Sequence, residues 1–386
     1  MKQCLNYIKF GMKKTESPDK LWYTVTNAED VSSPALLIYP DRVEQNIKRM
    51  IKIAGSADKL RPHIKTHKMS AIIRLQMKYG INKFKCATIS ETELAASCGA
   101  GDILLAMQPV GPNQTRFFEL KQKFPNSKIS CITDSEEIIN QLSELAVKTG
   151  LETNLWLDIN NGMNRTGVTP GKIAAGLYKI ILDSPMVKAE GLHVYDGHIQ
   201  DPDFRTRQKI CDESFLPVEV LIDDLIKMGI PHPKIVAGGT PTFPIHALRK
   251  EVECSPGTLL LWDYKSSSSF ADMDFLNAAI LLSRIVSKPS KDILCIDLGH
   301  KAVASEMAQP RIKIPGFDNY SIIGHSEEHM VIRTSEADKF STGDILYCIP
   351  MHICPTVALH DSVSVVNEHK VTGQWSVEAR NRKICV

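Results

Sequence analysis

The segment Arg61-Pro62-His63-Ile64-Lys65-Thr66-His67-Lys68 is the densest run of groups able to do chemistry in this chain. Read as a strand, it puts His63 and Lys65 on one face, because side chains alternate. A lysine aimed into a barrel mouth is desolvated and close to other cations. Both effects lower its pKa and expose the neutral amine, the nucleophile of Schiff-base chemistry. A solvated basic loop is the ordinary alternative. In Val236-Ala237-Gly238-Gly239-Thr240-Pro241-Thr242, two glycines let backbone approach an anion, a following helix N-terminus offers free N–H groups, and Thr240 adds a hydroxyl. A plain helix start with Pro at its first position satisfies the same residues.

Three further clusters share this character. Arg165 sits in the Gly/Asn-rich stretch 158–167, where a guanidinium could hold a carboxylate or phenolate oxygen; a surface-loop arginine reads equally well. In His193-Val194-Tyr195-Asp196-Gly197-His198, residues 193 and 195 share a face and could line a barrel mouth with an imidazole and a ring, or simply pack. His352-Ile353-Cys354 on a strand would place imidazole and thiolate on one face, about 6 to 7 Å apart at Cα. That suits two ligands of one tetrahedral zinc, with open positions for water or substrate. A buried, inert cysteine beside a histidine is the bland reading.

The elements that must position these groups show as short apolar runs. Runs at 59–64, 83–87, 102–106, 128–133, 153–159, 187–194, 234–237 and 251–254 are rich in Ile, Val and Leu and end in turn residues, a strand signature. Amphipathic stretches separate them: 135–149 carries apolar residues on one helical face, 90–99 closes on Gly99, and 216–228 reads the same way. Eight such units predict a (β/α)8 TIM-type barrel, whose sites lie at the C-terminal strand ends. An open doubly wound sheet is the alternative, weakened because no GxGxxG follows the first strand. After about 258 the runs 259–264, 278–286, 292–297, 329–333, 344–349 and 362–367 are separated by turn clusters such as KSSSSF, predicting a mostly antiparallel β domain. The expected division is an N-terminal segment 1–34 packing on the β domain, a barrel over 35–257, and a β domain over 258–386.

Composition narrows the class. The 386 residues are 43% hydrophobic and 23% charged, which excludes disorder over most of the chain. The net charge of +2 gives nucleic acid no electrostatic footprint. No apolar run approaches a membrane span, and the basic N-terminus lacks the apolar core of a signal peptide. The ten cysteines stand apart, with no CxxC pair. Reduced thiols in a cytoplasmic protein are expected.

Taken together, RPHIKTHK, Gln108 in AMQPVGPN, NGMNRTGV, GLHVYDGH, GGTPTF, SPGTLLLWD, IDLGHKAVASE, HSEEH and HICPTVALHD resemble the D-threonine aldolase and D-serine dehydratase family. These are fold-type III pyridoxal-phosphate enzymes related to alanine racemases. The match runs in order from about residue 60 to 361, most of the chain. The resemblance implies that Lys65 is the Schiff-base lysine and that His63 and Gln108 line the pocket. It puts Gly238, Gly239 and Thr240 around the cofactor phosphate, Arg165 near the phenolic oxygen, and Tyr195 near the ring. His352 and Cys354 would hold a divalent metal, zinc or manganese. It also implies a homodimer acting on a small D-amino acid, with the site between the barrel of one subunit and the β domain of the other.

Two departures bear on the reaction. Cys354 stands where some aldolase members carry Asp; a thiolate favours zinc and resembles the D-serine dehydratases. Asp196 stands where some members carry a His after the sixth-strand Tyr, so Asp196 or His198 would have to serve as the base in retro-aldol cleavage. The expected activity is retro-aldol cleavage of a D-β-hydroxy-amino acid to glycine and an aldehyde. The alternatives are β-elimination to a keto acid and ammonia, as in D-serine dehydratase, an amino-acid racemase, which needs no metal, and a cofactor carrier, which lacks the β domain.

Overall fold

A computed structural model describes residues 21–385. The basic start of the chain and Cys4 lie outside the described residues. The chain forms two compact units. Among the described residues, one contains Ile47–Leu259, Phe270–Asp272 and the C-terminal residues from Glu378; the other contains those up to Asn46, Leu260–Ser269 and Met273–Val377.

The first strand, β1 (Ala35–Ile38), belongs to the second unit. In the first unit, seven parallel strands follow in chain order: β2 (Lys83–Cys86), β3 (Asp102–Leu105), β4 (Lys128–Thr133), β5 (Thr153–Ile159), β6 (Val187–Val194), β7 (Lys234–Ala237) and β8 (Val252–Cys254). Their spatial order equals their sequence order, as βα units with short connections require. β5 is buried along its whole length, the pattern of a strand covered on both faces.

The run 59–64 is not an eighth ladder strand, as the sequence reading expected. Leu60 makes a single parallel bridge to Cys254 of β8, and His63 one to Lys85 of β2. Pro62 between them has no N–H to donate, and the chain turns into a short 3-10 helix at Ile64–Thr66. This segment therefore bridges the two edge strands of the curled sheet. Beneath it the buried Arg61 makes a bidentate pair with Asp102 at 2.7 and 3.0 Å and bonds Glu253 at 2.8 Å.

The helices follow local chemistry. Glu136–Thr149 has two glutamates in its first turn and ends at Gly150 in the left-handed conformation, φ 67°. The helix expected from 216 spans Phe204–Lys227 and is capped by Asp203, whose carboxylate accepts from Thr206 N at 2.9 Å. Pro217 lies inside it.

The second unit is a nine-stranded sheet. Its remaining strands are β9 (Ala279–Ser290), β10 (Ile293–Ile296), β11 (Ile312–Lys313), β12 (Ser321–His325), β13 (Met330–Arg333), β14 (Ile345–Pro350), β15 (Ser362–Asn367) and β16 (Lys370–Ser376). All pairings are antiparallel except β1 with β15. β1 was expected in the barrel; instead its apolar residues pair with Ala279–Leu282 of β9. Tyr23, Val25, Ala28 and Val31 pack with Leu37, Ile280 and Val366 into this unit's core. The strand expected at 259–264 is a 3-10 turn, and Tyr264–Ser269, expected as a turn, is helical. Asp263 caps that helix by accepting from Ser266 N at 2.9 Å.

Candidate active site

At the C-terminal strand ends of the first unit, three cations surround one aromatic ring. Lys65 Nζ lies 5.5 Å from the Tyr195 ring centroid, Lys85 Nζ 5.3 Å, and the Arg165 guanidinium carbon 4.9 Å. Each is within cation–π range. Lys65 comes from the 3-10 turn, and its backbone N–H donates to His63 Nδ1 at 3.3 Å. Thus His63 and Lys65 are not on one strand face; the turn brings them together instead.

Below the ring lies a buried polar chain. Lys85 Nζ is 3.5 Å from His193 Nε2, and His193 Nδ1 is 2.7 Å from Asp158 Oδ1. Burial, then the Lys65 charge, lowers the Lys85 pKa to about 7 against the pull of Asp196 and Asp158. Burial also lowers His193, with Asp158 opposing, and holds His63 well below the usual histidine range. Burial alone would raise Asp158, but bonds from His193 and Thr166 hold it below the ordinary carboxylate range.

The glycine loop closes the pocket at β7. Gly238 has φ 79°, and a Cβ there would stand 2.6 Å from His246 Cδ2. A Cβ on Gly239 would stand 3.1 Å from Tyr195 Cε2. Thr240 Oγ1 accepts from Gly257 N at 3.2 Å and Thr258 N at 3.0 Å. The following helix, Phe243–His246, is a single turn that starts after Pro241. The helix expected to follow is present but one turn long, and it carries Pro244 rather than Pro241 in its opening positions.

Asp196 is tied into this loop, not poised as a free base. Its Oδ1 accepts from Thr242 Oγ1 at 2.8 Å and its Oδ2 is 2.8 Å from His246 Nε2. Asp196 is 1% exposed and His246 fully buried. Cys211 Sγ lies 3.5 Å from His246 Nε2 and 3.8 Å from Asp196 Oδ2. Asp196, Cys211 and His246 thus bring three possible metal donors within 4.8 Å of one another, but hydrogen bonds already join them. His198 is exposed and lies against Gly162.

Gln108 and Arg165 are linked through one aspartate. Gln108 Oε1 accepts from Thr133 Oγ1 at 2.8 Å and from Asp134 N at 2.9 Å. Asp134 Oδ2 in turn accepts from Gly167 N at 2.8 Å, holding the loop that carries Arg165.

In the second unit, His352 and Cys354 are not on a strand. His352 caps the helix Ile353–Ala358, whose first N–H donates to Asp263 Oδ2 at 3.0 Å. The turn still brings imidazole and thiol together, and His352 Nδ1 is 2.5 Å from Glu306 Oε1. Burial disfavours charge on His352, but Cys354 and then Glu306 outweigh it and raise its pKa to about 9.

The sequence reading missed Lys85 and Glu306. A lysine within a buried parallel strand run was the available sign of the first. The second stood inside IDLGHKAVASE with nothing to mark it.

Both donor sets fit the groups the resemblance implies. Three cationic side chains, one of them the Lys65 amine, and a loop that glycines permit suit an anionic aldehyde cofactor. Nitrogen, sulfur and carboxylate donors, half-exposed at His352 and Glu306, suit a divalent metal with open positions.

Comparisons agree with this architecture. The alanine racemase N-terminal domain model matches residues 38–264, and a serine dehydratase domain model matches 278–366. D-threonine aldolase of Arthrobacter sp. is 28% identical over 91% of this chain and 93% of that protein. 3-Hydroxy-D-aspartate aldolase of Paracoccus denitrificans is 26% identical over 92% and 93%. The crystal structure of D-threonine aldolase from Filomicrobium marinum superposes with a TM-score of 0.81 at 25% identity, covering 91% of this chain and 96% of that one. The chain belongs to the alanine racemase N-terminal domain family, among its D-threonine aldolase- and D-serine dehydratase-like pyridoxal-phosphate lyases.

Proposed function

We propose that this protein cleaves the Cα–Cβ bond of a D-β-hydroxy-amino acid, giving glycine and an aldehyde, with pyridoxal 5'-phosphate and a divalent metal. The observation that carries the reading is the cationic ring around Tyr195, with Lys65 at its edge. The named aldolases among the relatives support the choice of reaction.

In this reading Lys65 holds the cofactor aldehyde and serves as a proton carrier at Cα. Arg165 holds the phenolic oxygen, Tyr195 lies against the ring, and Gly238, Gly239 and Thr240 cradle the phosphate. His63 and Gln108 line the pocket and fix its walls. When bound, the cofactor's ring stores the electron pair released at Cα. His352 and Cys354 hold the metal, which supplies Lewis acidity at the substrate hydroxyl. Glu306 orients His352, as carboxylates do for metal-binding imidazoles. The reading includes a homodimer in the cytoplasm; the free cysteines of the described residues fit a reducing compartment.

A second reaction has an observation of its own. Cys354 meets His352 as the thiol partner, and a thiolate favours zinc as in the dehydratases. Asp196 is fully engaged and His198 exposed, so neither supplies an evident base for the hydroxyl proton. β-Elimination would need only a proton acceptor at Cα, which Lys65 could be, with a metal held by His352 and Cys354 supplying Lewis acidity at the hydroxyl.

Incubation with D-threonine and D-serine, each with pyridoxal 5'-phosphate and zinc or manganese, decides the matter. Glycine plus aldehyde supports cleavage of the carbon bond. Keto acid plus ammonia overturns it in favour of elimination, and neither product overturns both.

A further inference from the structure

The pocket holds one more cation than these roles use. Lys65 is assigned to the aldehyde and Arg165 to the phenolic oxygen, whereas Lys85 has no role. Yet Lys85 is only 2% exposed, and burying an ammonium is costly without a compensating purpose or partner. Its partner is ordered: Asp158 faces His193 Nδ1, which puts the imidazole proton there. Nε2 is then left to accept from the Lys85 ammonium at 3.5 Å.

We infer that Lys85 is a positioning residue of the cofactor pocket: a switchable cation on its floor, braced by Asp158 and His193, that strengthens binding of the anionic cofactor and relaxes it as pH rises. The inference rests on the cofactor reading above.

The groups facing Lys85 set the balance. From the bridging segment, Lys65 repels its charge, and His63 adjoins it through the strand bridge. Asp158 of β5 attracts it, while Arg165 of the following loop repels it. From β6 and its end come His193 and the attracting Asp196, with the Tyr195 ring face above. Burial tips this balance to a pKa of about 7. A bound anion favours the ammonium and raises that value. By linkage, the cofactor binds more tightly where Lys85 is protonated, and the advantage fades as pH climbs above about 7.

The test measures the dissociation constant of pyridoxal 5'-phosphate from pH 6 to 9 in wild type, Lys85→Met and Lys85→Arg, with folding checked by thermal melting. Titration of the cofactor phosphate is common to all three and cancels in ratios. Wild type should bind roughly tenfold tighter than Lys85→Met at pH 6, the scale of one charged contact, and the gap should close toward pH 9. Lys85→Arg keeps its charge and should hold its acid-side advantage throughout. Parallel pH curves for wild type and both variants overturn the inference, because a purely structural lysine would shift affinity without changing the slope. Should Lys85→Met fail to fold, the arginine curve decides alone: a slope equal to wild type overturns the proposal. If wild type binds no cofactor at any pH, the cofactor reading falls first and this inference with it.

Discussion

The barrel floor and the His352 site treat the same imidazole in opposite ways. His63 and His193 are buried with Lys85 beside them, and both are held below the usual histidine range, although Asp158 opposes this at His193. His352 is only half-buried, and a thiol and a carboxylate raise it to about 9. Depth of burial separates them: His193 stays low even with Asp158 at 2.7 Å, whereas at the half-exposed His352 the thiol and the carboxylate outweigh desolvation. One region gathers cationic side chains around an aromatic ring. The other presents negative and soft donors, the preference of a divalent cation.

That contrast predicts separable losses. Lys65→Ala should have the largest effect, lowering turnover by at least about a thousandfold and removing the protein-bound cofactor absorbance. A persisting band would move the aldehyde site elsewhere. Cys354→Ala or His352→Ala should lower turnover by about a hundredfold or more and abolish bound metal, while cofactor absorbance stays. Loss of cofactor in these variants would break the division of labour between the two regions.

Asp196→Ala strands His246 and Thr242 in a buried site and should destabilise the fold by about 3 kcal/mol. The folded pKa of Asp196 lies below its ordinary value, with burial opposed by His246 and Thr242. Its contribution is therefore present above about pH 4 and is lost as pH falls through the folded value. Urea midpoints should differ at pH 7 and converge in acid; equal midpoints at pH 7 would remove Asp196 from the loop's support. The smallest effect is expected at Glu306→Gln, which should weaken zinc binding about tenfold. Calorimetric titration showing no change would leave Glu306 a surface neighbour.

Much of the first unit was legible because its strands are buried on both faces. β4, β5, β6 and β7 begin and end where their apolar runs do. The segment around Pro62 was not, because a missing N–H breaks a ladder without changing the hydrophobic pattern. β1 was misplaced because four apolar residues carry no local sign of which sheet they will join. Lys85 escaped notice for a subtler reason. Lys83 and Lys85 lie on one strand face, yet Lys83 reaches Glu253 near the edge while Lys85 is buried. Alternation tells face; depth along the strand comes only from the closed sheet. The site residues in loops were readable as types, but the hydrogen bonds that occupy Asp196 come from positions 46 and 50 residues away.

Asp196 follows Tyr195 directly in the chain and grips Thr242 and His246 beside the two glycines. The ring and the loop are thus tied together through a single peptide unit. The inheritance of these positions should bear that mark. Among descendants of this chain, residues 196, 242 and 246 should be replaced in concert or left alone, since a lone change at any of them would disturb both grips at once.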